Sequence, residues 1–151
     1  MDHLAIPVRD QARSRRFYET YLGFDARPPR RYDDGVLMLY NAAGFALALG
    51  PTDQPITPPA WMHFGIALPD REAVLSLRDR LEADGVEVVE EWDEPDYVSV
   101  KCRDPDGYIV EAVWEPEAPH GASGGESFAD ALVHRGEDDV CSAESARKET
   151  R

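Results

Sequence analysis

The segment Asp2–Val8 (DHLAIPV) is matched about sixty residues later by Met62–Leu68 (MHFGIAL), and such a self-match is the signature of a duplicated structural unit. Both segments alternate large apolar residues with histidine or small residues. That period of two predicts a strand with one bulky face and one open face. His3 and His63 take equivalent places on the open face. The chain is therefore predicted to contain two copies of one unit, each beginning with a strand.

A helix is predicted to follow each of these strands. Each has an aspartate that can accept backbone N–H bonds at its start, an apolar pair one turn apart, and a glycine suited to a left-handed end. In the first helix these are Asp10, Phe17 with Tyr21, and Gly23; in the second they are Asp70, Leu77 with Leu81, and Gly85. The apolar pairs predict the face that packs on the sheet.

Extended runs from Phe24 and from Val86 follow the helices, and two further strands close each unit. These strands are Gly35–Tyr40, Phe45–Leu49, Tyr97–Arg103 and Tyr108–Glu115. The sequence DPDG at 104–107 is typical of a hairpin turn, since proline fixes φ and glycine tolerates a positive φ. Each unit is thus predicted as βαβββ, over residues 2–50 and 61–115, which gives an α+β domain with curved mixed sheets.

Two segments lie outside these units. Residues 51–60 contain four prolines, at positions 51, 55, 58 and 59, and predict an extended, stiff connector. Residues 116–151 are rich in small and charged residues and poor in apolar ones. This composition predicts an acidic, mostly disordered tail beyond a single domain at 2–115.

Charge and cysteine content exclude several classes of protein. Thirty acidic residues against 16 basic ones give a net charge of −14, which repels nucleic acid and anionic membranes. No basic leader or membrane-length apolar run is present, so a cytoplasmic location is expected. Cys102 and Cys141 have no CxxC spacing, which argues against a disulfide framework or a cysteine zinc site.

The two units, the sequence FYETYLGF at 17–24 and the sequence DPDGYIVE at 104–111 together resemble the glyoxalase, bleomycin-resistance and extradiol-dioxygenase group. This group is the vicinal oxygen chelate superfamily, and the resemblance covers residues 2–115. It implies that each unit forms a half-barrel with its helix on the convex side. It also implies that two units enclose a divalent metal, with ligands from their first and last strands.

Carried onto this chain, the resemblance gives His3, His63 and Glu111 as metal ligands and leaves Ala48 at the fourth position. The repeat supports this set, because Ala48 and Glu111 stand four residues after the matched glycines Gly44 and Gly107. A carboxylate in an apolar strand also needs a positive partner. Three ligands leave positions open for water and substrate, as in a catalytic site. Fe(II) or Mn(II) is favoured, and Zn(II), Ni(II) or Co(II) also fits.

The departures from the family pattern bear on the reaction. Ala48 lacks the oxygen ligand of glyoxalase I relatives. Lys101 replaces a tyrosine expected in both the extradiol and the fosfomycin-resistance patterns, and Ala5 replaces a substrate-binding threonine of the latter. The leading expectation is a dioxygenase acting on a small substrate with adjacent oxygens. The alternatives are a glyoxalase-type lyase or isomerase, a fosfomycin-resistance-type thiol transferase, and a metal-free protein that sequesters a small molecule or drug.

The penultimate strand supplies three further candidate site residues. Tyr97, Ser99 and Lys101 alternate with apolar residues, so they are predicted to line the pocket if the apolar set packs under the helix. Lys101 would then serve as a cation for an anionic oxygen, or as a proton donor or base; the other interpretation places it at a sheet edge in water. A homodimer is expected, with His3 meeting His63 either within one chain or across two.

Overall fold

The computed structural model describes residues 3–54 and 56–116, which form two four-stranded mixed sheets and two helices. The first unit consists of β1 His3–Val8, α1 Gln11–Leu22, β2 Arg30–Arg31, β3 Leu37–Tyr40 and β4 Ala46–Pro51. The second consists of β5 His63–Ala67, α2 Arg71–Ala83, β6 Val88–Glu94, β7 Tyr97–Arg103 and β8 Ile109–Trp114. The predicted tail lies outside the described residues beyond Pro116. Neither helix in this part of the chain is long and apolar enough to span a membrane.

The two sheets have the same topology. Their strand orders are β1-β4-β3-β2 and β5-β8-β7-β6, and in each the first strand runs parallel to the last while the remaining pairs are antiparallel. Ala5 pairs with Ala48 in one sheet, and Gly65 pairs with Glu111 in the other. The predicted duplication and the predicted equivalence of Ala48 with Glu111 are therefore confirmed.

The helix ends follow the predicted chemistry. Asp10 accepts hydrogen bonds from the N–H groups of Ala12 and Arg13 at 2.9 and 3.0 Å, which satisfies donors that a helix start otherwise leaves free. Asp70 accepts from Ala73 at 2.8 Å. Gly23, with φ 67°, ends α1 in the left-handed conformation, where glycine has no steric penalty.

The helix-facing sides of both sheets share one apolar core. Its β-strand members alternate as predicted and include Ile6, Val8, Leu47, Leu49, Ile66, Val98, Val100 and Val110. The helices contribute Phe17, Leu77 and Leu81 as expected, but the fully buried tyrosine of α1 is Tyr18 and not Tyr21. Tyr21 is half-buried and donates its hydroxyl hydrogen to Asp84 at 2.8 Å. Tyr18 is the one that enters the core because its hydroxyl group finds a buried hydrogen-bond acceptor there.

That acceptor belongs to the turn at residues 104–107, which the sequence identified only as a hairpin. Tyr18 donates its hydroxyl hydrogen to Asp104 at 2.8 Å, and Ser14 donates to Asp106 at 3.1 Å. Arg9 forms an ion pair with Asp106 at 3.0 Å. Both aspartates are buried, each with 5% of the residue exposed. This turn of the second unit is thus bonded to α1 of the first, and it links the two units through polar contacts within the core.

Candidate metal centre

Glu111 is the buried carboxylate of the open face of the second sheet. Its side chain is 11% exposed, and the flanking Val110 and Ala112 point into the core on the other face. Tyr97 donates its hydroxyl hydrogen to Oε1 of Glu111 at 2.9 Å. The ion-pair partner of Glu111 within the described part of the chain is His63, with 3.5 Å between Nε2 and Oε2. Lys101 lies opposite Glu111 in the adjacent strand, but its ammonium is paired with Glu90, so this buried carboxylate is suited to a bound cation.

The imidazole of His63 is oriented by a backbone carbonyl. Nδ1 of His63 lies 3.1 Å from the oxygen of Trp61, and a carbonyl oxygen only accepts, so Nδ1 carries the hydrogen. In the neutral ring, Nε2 then presents a lone pair towards Oε2 of Glu111. Two lone pairs that face each other at 3.5 Å repel unless a proton or a metal cation lies between them. Two ligand atoms at ordinary distances from one metal ion, with a right or tetrahedral angle at the metal, lie about 3.0–3.4 Å from each other. The distance between Nε2 and Oε2 is close to this range, so the pair fits a divalent metal.

His3 lies on the open face of the first sheet, where it is exposed and pairs with Ala46. Among residues 3–54 and 56–116, no three His, Cys, Asp or Glu side chains come together in a group that could hold a metal. Of the three predicted ligands, the fold of one chain thus brings His63 and Glu111 together and leaves His3 apart. Ala48 occupies the place in the first sheet that Glu111 has in the second.

The three predicted residues of the penultimate strand lie on the same face as Glu111. Lys101 pairs with Glu111, and Ser99 pairs with Val113. The intervening Val98, Val100 and Cys102 are buried under the helix side of the sheet. Burial and the bond to Glu111 raise the pKa of Tyr97 to about 12, so its phenol acts as a hydrogen-bond donor around neutral pH. Ser99 is buried beside it.

Lys101 forms an ion pair with Glu90 of the neighbouring strand β6. The Lys101 ammonium holds the pKa of Glu90 below its ordinary value. The side chain of Lys101 is 18% exposed, so it is neither fully buried nor extended into solvent. Its predicted roles as a cation for substrate or as an acid or base stay predictions.

Two features of this centre were missed by the sequence analysis. The carbonyl of Trp61 that orients His63 is a backbone group, and no sequence pattern identifies it. Glu90 was not singled out in the sequence, although the strand alternation that predicted the face of Lys101 would also have placed its neighbour across the sheet.

Comparison with known proteins identifies the family. The model of the Glyoxalase/Bleomycin resistance protein/Dioxygenase superfamily matches residues 1–112. A search of curated proteins gave no significant match. A similar solved structure is that of a possible glyoxalase from Bacillus cereus, with 24% identity over 76% of this chain and 97% of that chain and a TM-score of 0.61.

Two further solved structures have functional names. The fosfomycin resistance protein FosX from Listeria monocytogenes is 18% identical over 78% of this chain and 93% of its own, with a TM-score of 0.63. A lactoylglutathione lyase from Agrobacterium tumefaciens is 21% identical over 75% of this chain and 91% of its own, with a TM-score of 0.58. At these identities the likeness concerns the fold alone. The match of the family model, together with the duplicated βαβββ units, shows that this chain belongs to the glyoxalase, bleomycin resistance protein and dioxygenase superfamily.

Proposed function

We propose that this protein is a divalent-metal enzyme that acts on a small substrate with adjacent oxygen atoms, and that His3, His63 and Glu111 hold the metal. The observation that carries the proposal is the approach of Nε2 of His63 to Oε2 of Glu111, at 3.5 Å, with the other ring nitrogen bonded to a carbonyl. This arrangement orients two ligand atoms towards one point. An ordinary structural histidine would instead satisfy both ring nitrogens with complementary partners.

The third ligand is proposed to come from a second copy of the chain. His3 is exposed on β1, on the same face as Ala5, and in a single chain it does not join His63 and Glu111. A twofold dimer would set the open face of the first sheet of one protomer against the open face of the second sheet of the other. Symmetry would then generate two identical sites, each with one ligand from one protomer and two from its partner.

The residues around the pair have defined roles in this proposal. Tyr97 donates to Oε1 of Glu111 and thereby leaves Oε2 as the ligand atom. Gly65 lies opposite Glu111 in the adjacent strand, and because it has no side chain it leaves that oxygen accessible. The bound metal would supply a Lewis acid with open positions for two adjacent substrate oxygens. Fe(II) or Mn(II) suits two imidazoles and one carboxylate, and Zn(II), Ni(II) or Co(II) would also fit.

Among reactions, a dioxygenase is the leading proposal, because a three-ligand centre leaves room for a chelating substrate and a further small molecule. A glyoxalase-type lyase or isomerase is the first alternative, and Ala48 counts against it because it offers no fourth ligand. A thiol transferase of the fosfomycin-resistance type is the second. In each of them Lys101, one strand from Glu111, is the proposed cation or proton carrier for a substrate oxygen, and Ser99 a proposed hydrogen-bonding group.

Metal analysis of protein purified without chelators tests the proposal. We expect about one metal ion per protomer, and less than a tenth of that in His63→Ala and Glu111→Ala variants, because two ligands do not retain a divalent ion as three do. His134→Ala, which removes a histidine outside the described residues, is the matched control and should keep its metal. Wild-type protein that binds none of Fe, Mn, Ni, Co and Zn would overturn the proposal.

A protein that sequesters a small molecule without a metal is the alternative of another class. The His3→Ala variant separates the two functions. A sequestering protein retains its ligand affinity when His3 is replaced, whereas the metalloenzyme loses bound metal and turnover together.

A further inference from the structure

Four residues stand in one row across the open face of the second sheet. Strand pairing sets Gly65 opposite Glu111, Glu111 opposite Lys101, and Lys101 opposite Glu90. Residues that pair across adjacent strands project to the same side of a sheet, with about 5 Å between their β-carbons. Lys101 therefore has a carboxylate neighbour on each side, Glu111 in β8 and Glu90 in β6.

Of these two carboxylates, Glu90 is the one that holds the lysine. The ammonium of Lys101 forms an ion pair with Glu90, whereas within the described residues the ion-pair partner of Glu111 is His63. The hydrogen bond from Lys101 is the main cause that holds the pKa of Glu90 below its ordinary value, and a hydrogen bond with Trp92 acts in the same direction. Glu90 is thus ionised at neutral pH and keeps the ammonium on the side of the edge strand.

The ammonium of Lys101 depends on Glu90 for its position. The side chain of Lys101 is only 18% exposed, and an ammonium that is largely withdrawn from water needs an anionic partner. Its flexible stem of four carbons allows the charge to turn towards either neighbouring strand. If the charge of Glu90 were removed, Glu111 would be the carboxylate directly opposite Lys101, and the ammonium would turn to it.

An ammonium at Glu111 would compete with a metal ion. Tyr97 already donates to Oε1 of Glu111, which leaves Oε2, the atom that faces Nε2 of His63, for the ammonium. A positive charge at that oxygen would have to be displaced before a divalent cation could bind there. The position of Lys101 therefore decides whether Glu111 is free to act as a ligand.

The first sheet offers an internal comparison, because it repeats the same row of paired positions. The places of the carboxylate ligand, the lysine and its acidic partner are taken there by Ala48, Met38 and Arg30. The sheet that lacks the carboxylate thus lacks both the lysine and the glutamate. Within the duplicated fold, the ion pair accompanies the predicted ligand.

We propose that Glu90 is a positioning residue of the metal centre, which holds the ammonium of Lys101 away from Glu111 and so keeps that carboxylate free to bind the metal. This inference rests on the proposed function, because it treats Glu111 as a ligand. It also accounts for a lysine beside the metal that can meet a substrate oxygen without occupying a ligand position.

A metal-competition titration of the full-length protein with Mn(II) tests this role. In Glu90→Gln we expect the affinity to fall about tenfold or more, because a charged hydrogen bond between Lys101 and Glu111 must be broken before the metal binds. When Lys101 is methionine, no ammonium remains to compete. The affinities of E90Q/K101M and K101M should then agree within about threefold, the effect left to an exposed charge acting from a distance. Glu90→Asp keeps the charge and should retain most of the affinity.

Glu91→Gln is the matched control, because it removes the same charge from the next residue of β6, which pairs with Val100 and projects to the other face. Both glutamates are exposed on an edge strand, so neither substitution should unfold the protein. Glu91→Gln should leave the Mn(II) affinity unchanged.

Three results would overturn the inference while the proposed function stands, provided that the wild type binds Mn(II). These are an unchanged affinity in E90Q, an equal loss in E90Q and E91Q, and an equal effect of Glu90→Gln with lysine or with methionine at position 101. The last result would show that the charge of Glu90 acts on the metal directly and not through Lys101. A wild type that binds no divalent metal would overturn the proposed function and this inference together.

Discussion

Nε2 of His63 lies 3.5 Å from Oε2 of Glu111, and Nδ1 of the same ring is bonded to the carbonyl of Trp61. Both atoms of the close pair are acceptors when the imidazole is neutral and the carboxylate is ionised. This contact is unfavourable unless a proton or a cation lies between the two atoms, and in the proposed metal site the same two atoms would be ligands. Metal binding at the proposed site would therefore raise the stability of the fold, since a ligand that binds only the folded state stabilises it.

Glu111→Gln should separate these two effects. The amide of glutamine donates to Nε2 of His63, so we expect the metal-free variant to be more stable than metal-free wild type by about 1 kcal/mol. With Mn(II) added, the order should reverse, because the variant has lost a charged ligand. Thermal unfolding with EDTA measures the stability of the metal-free proteins, and thermal unfolding with excess metal measures that of the metal-bound proteins. Glu91→Gln, on the exposed edge, is the control. A metal-free E111Q protein that is less stable than wild type would contradict the lone-pair argument.

Tyr97→Phe should weaken metal binding without removing a ligand. The hydroxyl of Tyr97 bonds to Oε1 of Glu111 at 2.9 Å, and groups that orient a ligand typically contribute about tenfold to 100-fold in metal affinity. We expect a loss of that size in a metal-competition titration. Tyr108→Phe removes a hydroxyl from the same unit at a tyrosine that does not touch Glu111, and it should retain wild-type affinity. Equal affinity in Y97F and wild type would exclude the orienting role.

Most of the architecture follows from local patterns in the sequence. Alternation along β1 and β5, the aspartates at the helix starts and the repeat of the two units each reflect an interaction within a few residues. Such interactions are encoded close together in the chain, so they can be recognised without a structure. The pairing of Ala48 with Ala5 and of Glu111 with Gly65 followed from the same repeat.

The features that the sequence did not predict join residues far apart. Whether Tyr18 or Tyr21 enters the core depends on Asp104, which lies 86 positions from Tyr18 along the chain. The ion pair of Lys101 with Glu90 was also missed, because a sequence does not show which charged residues meet in space. These choices are decided by tertiary contacts, which local periodicity does not encode.

Mixing two inactive variants tests whether the metal site is shared. If His3 meets His63 and Glu111 across a dimer, a His3→Ala protomer paired with a Glu111→Ala protomer has one site with all three ligands and one site that keeps only His63. Random re-association of equal amounts should then restore about a quarter of the metal binding of wild type. The measurement is metal content after unfolding and refolding the mixture. A mixture that binds no more metal than the separate variants would show that the ligands do not combine across protomers.

Asp106→Ala should destabilise the fold through the contacts between the units. Its buried side chain accepts hydrogen bonds from Ser14 and Arg9, and its removal leaves the Ser14 hydroxyl buried without this acceptor. The arginine is about half exposed, which reduces its contribution. We expect a loss of about 2 kcal/mol in the free energy of unfolding measured in urea. Asp79→Ala breaks the exposed pair with Arg78 and should change stability by less than about 1 kcal/mol; similar effects of the two variants would contradict the argument.

Cys102 should make the stability of the protein fall in alkaline solution. Burial, with a smaller effect of Asp104, raises the pKa of the Cys102 thiol to about 12, whereas a thiol in an unfolded chain ionises near pH 8.5. Between these two values the unfolded state releases a proton that the folded state keeps. The free energy of unfolding therefore decreases as pH rises through this window, by up to about 1.4 kcal/mol per pH unit from this one group.

Cys102→Ala, compared in a background in which Cys141 is replaced by serine, should be less stable near pH 7 because a buried side chain is truncated. The free energy of unfolding of the Cys102→Ala protein should nevertheless decline less steeply between about pH 9 and 11. Urea unfolding at a series of pH values measures this decline for both proteins. If the free energy of unfolding falls in parallel for the two, the thiol does not remain protonated in the folded state.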